Sequence, residues 1–381
     1  MTSPKLKPLG EIATLQRGFD LPHQDRQEGQ IPIISSGGRS GFHSVHKVNP
    51  PGVVTGRYGS IGEFFYIEEK FWPLNTTLWV KNFHGNCEKY VYYLLSSLNF
   101  DKFSAKTGVP GVNRNDLHKI KVPFLPIQKQ KSVVQTLECW DNAIEKTEAL
   151  IAAKEKQFEW LKSQLLLNNP KSKRWNTSTL GEFIVEKKEK STTPDLYPCL
   201  TSSRRGIFLQ EDYFSKQVAS KDNSGYKIMS RGDFTFRSMS DDGLFVFNKQ
   251  TIIDKGLISP AYGVFSPKQN MESDFLYYFL NSPAFRRALS REVQGGTRTA
   301  LKLNALKKLE VKIPCIQEQK DIASKLNIAK KEIDLVKELL EKYRSQKRGL
   351  MQKLLTGEWQ VTSAQVGAEG KLQDRTKENV A

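Results

Sequence analysis

Residues 127–131 read IQKQK and residues 316–320 read IQEQK, 189 positions apart in a chain of 381. Each follows a proline-bearing run, KVPFLP and then VKIPC, and each opens a long stretch with one spacing. Val133, Leu137, Trp140, Ile144, Thr147, Ile151, Lys154, Phe158, Leu161 and Leu165 recur in a strict 4-3-4-3 pattern. Adding 189 to each gives Ile322, Leu326, Ala329, Ile333, Val336, Leu340, Tyr343, Lys347, Leu350 and Leu354. More than four heptads without an internal Gly or Pro before Gly349 predict coiled-coil seams rather than ordinary core helices. At 1.5 Å per residue, such a seam runs for about 50 Å. Asn169-Pro170 should end the first helix, and Gly357 follows the second. Thr147, Lys154 and Lys347 interrupt the seams, and polar residues there select one register at some cost in stability.

Outward from the pentapeptides, the whole chain repeats. LGE at 9–11 returns at 180–182, IPIISS (31–36) parallels YPCLTSS (197–203), and VVTGRYGSIG (53–62) parallels DFTFRSMSDDG (233–243). VYYLLSS (91–97) parallels LYYFLNS (276–282), and NRNDLHKIKV (113–122) parallels KLNALKKLEV (302–311). The order is constant and the offset changes from 171 at the first match to 189 at the last, as two divergent copies with loop insertions and deletions would give. Within each copy, short β-branched and aromatic runs punctuated by glycine predict strands, around Gly52 to Gly62 with Phe64 to Ile67, and Phe234 to Arg237 with Leu244 to Phe247. One helix is expected in each, at Glu88 to Ser97 and at Ser273 to Leu289. The predicted fold is α+β: two globules in pseudo-twofold repeat, separated by two long antiparallel coiled-coil helices. The segments are 1–126, a spacer helix 127–167, a second globule 168–314, a C-terminal spacer helix 315–358, and a disordered tail 359–381.

Charge separates these segments. The 58 basic and 41 acidic residues give +17, distributed as +5, 0, +9 and +3 over 1–126, 127–167, 168–314 and 315–381. Fourteen of the seventeen net charges fall in the two globules, so a polyanion, most simply nucleic acid, would meet those. Four scattered cysteines and five histidines show no metal-ligand spacing. No stretch reaches the roughly 18 apolar residues of a membrane span and the N-terminus has no apolar signal core, so no membrane association and a cytoplasmic location are expected.

Catalytic readings fare poorly. NPPG (49–52) resembles the NPP-aromatic tetrapeptide of DNA amino-methyltransferases, but Gly52 removes the group that would stack on a flipped base. GRYGSIG is glycine-spaced yet leads into the strand-like FFYI rather than a helix. Glu310-Val311-Lys312 fits the E-x-K of metal-dependent nucleases, but its counterpart is Lys121-Val122-Pro123. No Ser/His/Asp set or P-loop stands out. What recurs in both copies is binding chemistry: SSGGRSGFH (35–43), GRYGS (56–60) and SAKTGVPGVNRND (104–116), then TSSRRG (201–206), FRSMSDD (236–242) and QGGTRTALK (294–302). Glycine lets backbone amides approach phosphates, hydroxyls and cations satisfy phosphate oxygens, and Arg or Asn can pair with base edges. The candidate DNA-binding residues are Ser36, Arg39, Arg57, Tyr58, Lys106, Thr107, Asn113, Arg114, Ser203, Arg204, Arg205, Arg237, Thr297, Arg298 and Lys302.

Two globules opening near LGE, each closing in a run like L-x-x-I-x-V-P-x-x-P-x-Q-x-Q-K and followed by a helix ending in KSQLLL or LMQKLLTGEW, resemble the specificity subunit of type I restriction-modification enzymes. The resemblance covers all but the tail; the first helix departs from it by ending in LLLNNPKSKRW rather than LLTG. It implies that each globule is a target-recognition domain reading half of a bipartite duplex, with TGVPGVNRNDL (107–117) and GGTRTALKLNAL (295–306) facing DNA. It also implies that the helices act as ruler and dock for two methyltransferase subunits carrying S-adenosylmethionine. Restriction/translocase subunits that use ATP and Mg would join them, with no catalytic residue or cofactor in this chain.

Overall fold

The computed structural model describes residues 5–103, 111–167, 175–214, 222–292 and 299–359. The Asn169-Pro170 stop and the tail from Val361 lie outside them. The chain divides into two compact units, Met1–Glu148 with Glu338–Ala381, and Ala149–Lys337. The division cuts both long helices, Ile127–Leu166 and Ile316–Leu355, so each unit contains a globule together with half of each helix.

In the first unit, Leu6–Pro8 pairs antiparallel with Lys121–Pro123. An antiparallel sheet follows in the order Thr14–Arg17, Thr77–Asn82, Gly52–Gly56, Phe64–Ile67. Every residue of Gly52–Gly56 is buried, as a central strand should be. A second sheet runs Gly38–His43, Ile31–Ser35, Trp72–Pro73, its last pair parallel. Helix Glu88–Ser96 turns Tyr90, Val91, Tyr93, Leu94 and Leu95 onto the core formed by Leu9, Ile12, Leu15, Val53, Leu78 and Val80. Val133 and Leu137 from one long helix and Leu354 and Leu355 from the other complete that core.

The second unit repeats the plan. Asn176–Thr179 pairs with Glu310–Ile313, and a sheet runs Ile184–Glu186, Tyr262–Pro267, Phe234–Arg237, Asn248–Lys249. A further sheet runs Gly206–Leu209, Cys199–Ser203, Lys255–Ile258, Lys227–Ser230, with its middle pair parallel. Its core is phenylalanine-rich: Phe234 stacks on Phe265 at 5.5 Å, and Phe236, Phe247, Phe275, Phe279 and Phe285 close around them. Full burial of each such ring is worth about 1.5–3 kcal/mol. Phe236 lies over Gly263, where a Cβ would stand 2.3 Å from Phe236 Cε1, so the glycine makes room for the ring on the adjacent strand.

Two expectations need correction. The strand expected at Leu244 to Phe247 is instead Asn248–Lys249; Phe245 and Phe247 are buried without joining the ladder, their side chains sunk in the aromatic core. The helix expected from Ser273 to Leu289 is two helices, Ser273–Leu280 and Pro283–Glu292. Pro283 lacks the N–H needed to continue a helix but suits a first position, and Ser282 Oγ accepts from Phe285 N at 3.2 Å.

The structure also accounts for the doubled pentapeptide. Gln130, 1% exposed, donates from Nε2 to Asn86 Oδ1 (2.7 Å) and Leu125 O (2.8 Å), and its Oε1 accepts from Cys87 N (2.9 Å). Gln319, also 1% exposed, donates to Asn270 O (3.2 Å) and Pro314 O (3.0 Å) and accepts from Glu272 N (2.7 Å). In each unit one glutamine clamps the first turn of a long helix to the segment that opens the globule's main helix. A buried amide with partners on both ends is stabilising, whereas its apolar replacement strands those partners.

Candidate nucleic-acid interface

Three loops converge in the first unit. The turn between Ile31–Ser35 and Gly38–His43 is closed by Ser35 Oγ donating to Gly38 O at 3.0 Å, and Gly38 adopts φ +96°. Beside it lies the loop that leaves Gly52–Gly56. A Cβ on Gly56 would stand 2.1 Å from Ser60 O and 3.2 Å from Ser36 Cβ. The third segment is Gly111–Val112: Val112 N donates to Arg57 O at 3.0 Å, and Tyr58 bridges to Gly111. The Arg57 guanidinium lies 4.6 Å over the Tyr58 ring, which is 36% exposed. Ser36, Arg57 and Tyr58 thus share one surface. Asn113 and Arg114 follow directly, both exposed; Asn113 Oδ1 accepts from Asn115 N at 2.9 Å and caps the short helix Arg114–His118. Arg39 reaches elsewhere, to Glu69 Oε1 at 2.5 Å, with its guanidinium 5.5 Å from the Phe42 ring.

The second unit assembles the same three positions with different side chains. The turn between Cys199–Ser203 and Gly206–Leu209 carries Arg204 and Arg205 where the first unit carries Ser36 and Gly37. Ser203 Oγ accepts from Arg205 N (3.1 Å), and Gly206 adopts φ +128°. The loop leaving Phe234–Arg237 brings up Asp242, whose Oδ2 accepts from Arg204 NH2 at 2.6 Å. Chiefly because of that bond, the Asp242 carboxyl is held down at about 2. The third segment again docks through its backbone, Leu301 N donating to Ser238 O at 2.9 Å, while Met239–Ser240 pairs with Thr299–Ala300. Arg205 lies over the Tyr213 ring at 5.4 Å, and hydrogen bonding to Arg205 and Ser203 lowers the Tyr213 pKa. Arg237 and Lys302 are exposed, the latter opening the helix Leu303–Lys308. Lys106, Thr107, Thr297 and Arg298 lie outside the described residues.

Sequence reasoning passed over three contributors. Asp242 stood in the quoted FRSMSDD but was read only for its arginine. Asn248 fixes the Arg204 turn by donating from Nδ2 to Ser202 Oγ (2.8 Å) and Ser203 O (2.7 Å). Tyr213 was signalled by nothing local. Glu310 and Lys312 are exposed on a strand edge-paired with Asn176–Thr179. Among the described residues no group of three His, Cys, Asp or Glu is placed to hold a metal, and no helix is long and apolar enough to cross a membrane.

The long helices run antiparallel within each unit. In the first, Trp140 meets Tyr343 edge-on at 5.8 Å, Lys347 pairs with Asp141, and Arg344 with Glu148 at 2.5 Å. In the second, Lys154 pairs with Glu332 at 2.6 Å and Lys337 with Glu155 at 2.5 Å. Ile151, Ile333 and Leu340 are buried, and Ile144, Val336 and Leu350 half-buried. Phe158, Leu161 and Leu165 pack on the core that holds Ile322 and Leu326. The seams therefore do two jobs: their globule-proximal ends belong to the globular cores, and the remainder joins helix to helix. Of the polar interruptions, both lysines make cross-helix ion pairs, and Thr147 Oγ1 donates to Ala143 O at 2.7 Å.

A family model for the type I restriction modification DNA specificity domain matches residues 4–156 and again residues 172–342. The chain belongs to this family. The double match is the internal repeat seen from outside. Among relatives of this specificity family, the type I restriction enzyme MjaVIII specificity subunit of Methanocaldococcus jannaschii is 24% identical over 305 residues, covering 71% of this chain and 70% of that one. Two solved structures share the fold. One is a type I restriction-modification S subunit from M. genitalium, with TM-score 0.55, 15% identity, and 93% of this chain and 99% of that one covered. The other comes from work on complex assembly and conformational transition of the type I R-M system, with TM-score 0.58, 14% identity, and 94% and 99% covered.

Proposed function

We propose that this chain is the non-catalytic, DNA-reading subunit of a type I restriction-modification assembly. Each unit reads one half of a bipartite duplex target through its three converging loops. The observation that carries this reading is the pairing of a common frame with unlike tips: Ser36-Gly37 against Arg204-Arg205 on equivalent hairpins, and Arg57-Tyr58 against Ser238-Met239 where the neighbouring loop takes the third segment. A frame repeated for stability alone would have no use for different polar and charged tips, whereas readers of two different half-sites require them. The excess positive charge of both globular segments suits the duplex backbone.

The helices set the separation of the half-sites and dock two methyltransferase subunits. Exposed apolar residues on their outer faces support the docking role, among them Ile328 (68% exposed), Leu335 (55%) and Trp160 (60%). S-adenosylmethionine would be carried by those partners, and ATP and Mg by restriction/translocase subunits. The competing readings are a self-contained methyltransferase or nuclease and a basic scaffold without sequence preference.

Selection of bound duplexes from a randomised library, using the full chain assembled with its methyltransferase partners, separates the three. The expected product is a motif of two unlike blocks at a fixed spacing. Binding that vanishes with salt and never prefers a sequence would leave only the scaffold. Methyl transfer or cleavage by the purified chain alone, given duplex DNA, Mg²⁺ and labelled S-adenosylmethionine, would make it an enzyme. Inserting a heptad into both long helices adds about 10 Å, or roughly three base steps, to the preferred spacing.

A further inference from the structure

Asp242 raises a question of electrostatics. A carboxylate in a loop cluster that meets a polyanion repels the ligand. Yet Asp242 is held in place from several sides. Its Oδ1 accepts from Leu244 N at 3.2 Å and lies 2.9 Å from Ser240 Oγ, and Oδ2 takes Arg204 NH2 at 2.6 Å. The other end of the pair is equally fixed. Asn248, only 6% exposed, donates to both Ser202 Oγ and Ser203 O and so pins the residue before Arg204. Meanwhile the Arg204 side chain is 62% exposed and presents its guanidinium to solvent.

We infer that Asp242 is a positioning residue that holds Arg204 as a preformed fork for guanine in the second unit's half-site. The inference rests on the reading of that unit as a DNA reader. An unpaired exposed arginine samples many rotamers and loses that freedom on binding. Bonded to Asp242 through one amino hydrogen, Arg204 keeps further N–H groups for the paired acceptors O6 and N7 that guanine presents in the major groove. The same carboxylate steers the fork away from the backbone, because a phosphate on Arg204 would bring two anionic groups together. The corresponding tip of the first unit, Ser36-Gly37, carries no arginine; there Arg39, on the strand after the tip, pairs with Glu69, and Arg57 lies over the Tyr58 ring.

Asp242→Asn isolates the effect. The amide oxygen still accepts from Leu244 N, so the loop is retained, while the atom facing Arg204 becomes a donor. Library selection on the full chain with its methyltransferase partners should give a wild-type motif with guanine at one position of one half-site. Asp242→Asn should lower that guanine preference about tenfold, within the range of one bidentate base contact. The other half-site should stay unchanged. Arg204→Ala should abolish preference at the same position. If Asp242→Asn instead strengthens binding to all sequences equally, with the motif intact, Asp242 only thins the positive charge and the inference is overturned. A wild-type selection without any motif overturns this inference together with the DNA-reading function, whereas a wild-type motif indifferent to Asp242 overturns this inference alone.

Discussion

Replacing Gln319 with leucine tests whether the second glutamine of the pentapeptide, and not the first, holds a globule to its helix. Gln319 is buried and makes three hydrogen bonds: from Glu272 N at 2.7 Å, to Pro314 O at 3.0 Å and to Asn270 O at 3.2 Å. Leucine fills a similar volume but leaves one buried N–H and two carbonyls without partners. The bonds themselves are worth about 1 kcal/mol each net, and a stranded buried donor costs about 1–3 kcal/mol, so the substitution should cost roughly 2–5 kcal/mol. Glu272 also caps helix Ser273–Leu280, its carboxylate accepting from Phe275 N at 2.5 Å, so its displacement adds to the loss. In a unit of this size, that corresponds to a drop of roughly 5–15 °C in melting temperature. The control lies two residues away. Gln317 is exposed and donates to Asp321 Oδ1 at 3.1 Å, and Gln317→Leu should stay within about 0.5 kcal/mol. Urea titration of the full chain, followed by tryptophan fluorescence and by circular dichroism, measures both. Equal midpoints for the two variants would refute the clamp and return the pentapeptide to a solvated helix start.

Three further outcomes follow from the packing and the electrostatics. Gly263→Ala places a methyl 2.3 Å from the buried Phe236 ring and should destabilise by about 1–3 kcal/mol through overpacking, measurable by thermal melting; Gly62→Ala, with no atom within 4 Å but φ +86°, separates strain from crowding. Lys347 and Asp141 should show a coupling of about 0.5–1 kcal/mol in a double-mutant cycle, against a smaller value for the more exposed Lys330 and Asp334 pair. His118 Nε2 accepts from Leu15 N at 2.8 Å, and burial, then the Arg114 charge, lower its pKa. Its neutral form belongs to the folded state, so stability should fall as pH drops below the unfolded value near 6.5 and level off below the folded pKa. The difference between wild type and His118→Asn across pH 8 to 5 reads this out, and parallel curves would remove His118 as the cause.

What could be read in the sequence was whatever repeats at a fixed spacing. The 4-3 spacing of Val133 to Leu165 and of Ile322 to Leu354 gave two long helices, because a helix brings residues three and four apart onto one face regardless of what lies opposite. The spacing did not show that Val133, Leu137, Ile322 and Leu326 face globular cores, since a hydrophobic stripe looks the same whether a helix or a sheet covers it. The break at Asn281-Ser282-Pro283 was written in the chain, yet apolar residues on both sides obscured it. Arg39 meeting Glu69, and Arg204 meeting Asp242, depend on loops 30 and 38 residues apart being folded together. No local pattern encodes such pairs.

The contrast between what the two copies share and what they vary has a physical cause. Gln130 and Gln319 sit in sites with every polar partner satisfied, so a single substitution at either strands several groups at once and costs a sizeable part of a domain's stability. Ser36-Gly37 and Arg204-Arg205 sit on hairpin tips, with Ser36 half-buried and the other three exposed, whose turns are closed by Ser35 and Ser203 and by a positive-φ glycine in each. Substitution at the tips therefore changes little in folding energy and much in the chemistry presented to a ligand. A frame of this kind lets one unit exchange its tip residues while the other keeps its own, so the two half-sites can diverge independently. It also predicts where exchange must stop. Moving Arg204-Arg205 onto the first unit without Asp242 and Asn248 would transfer the charge and not its orientation, raising affinity for any duplex while adding no preference for a base. If such a graft, measured by selection from the same randomised library, did acquire a new guanine in the first half-site, orientation would have to come from the tip alone.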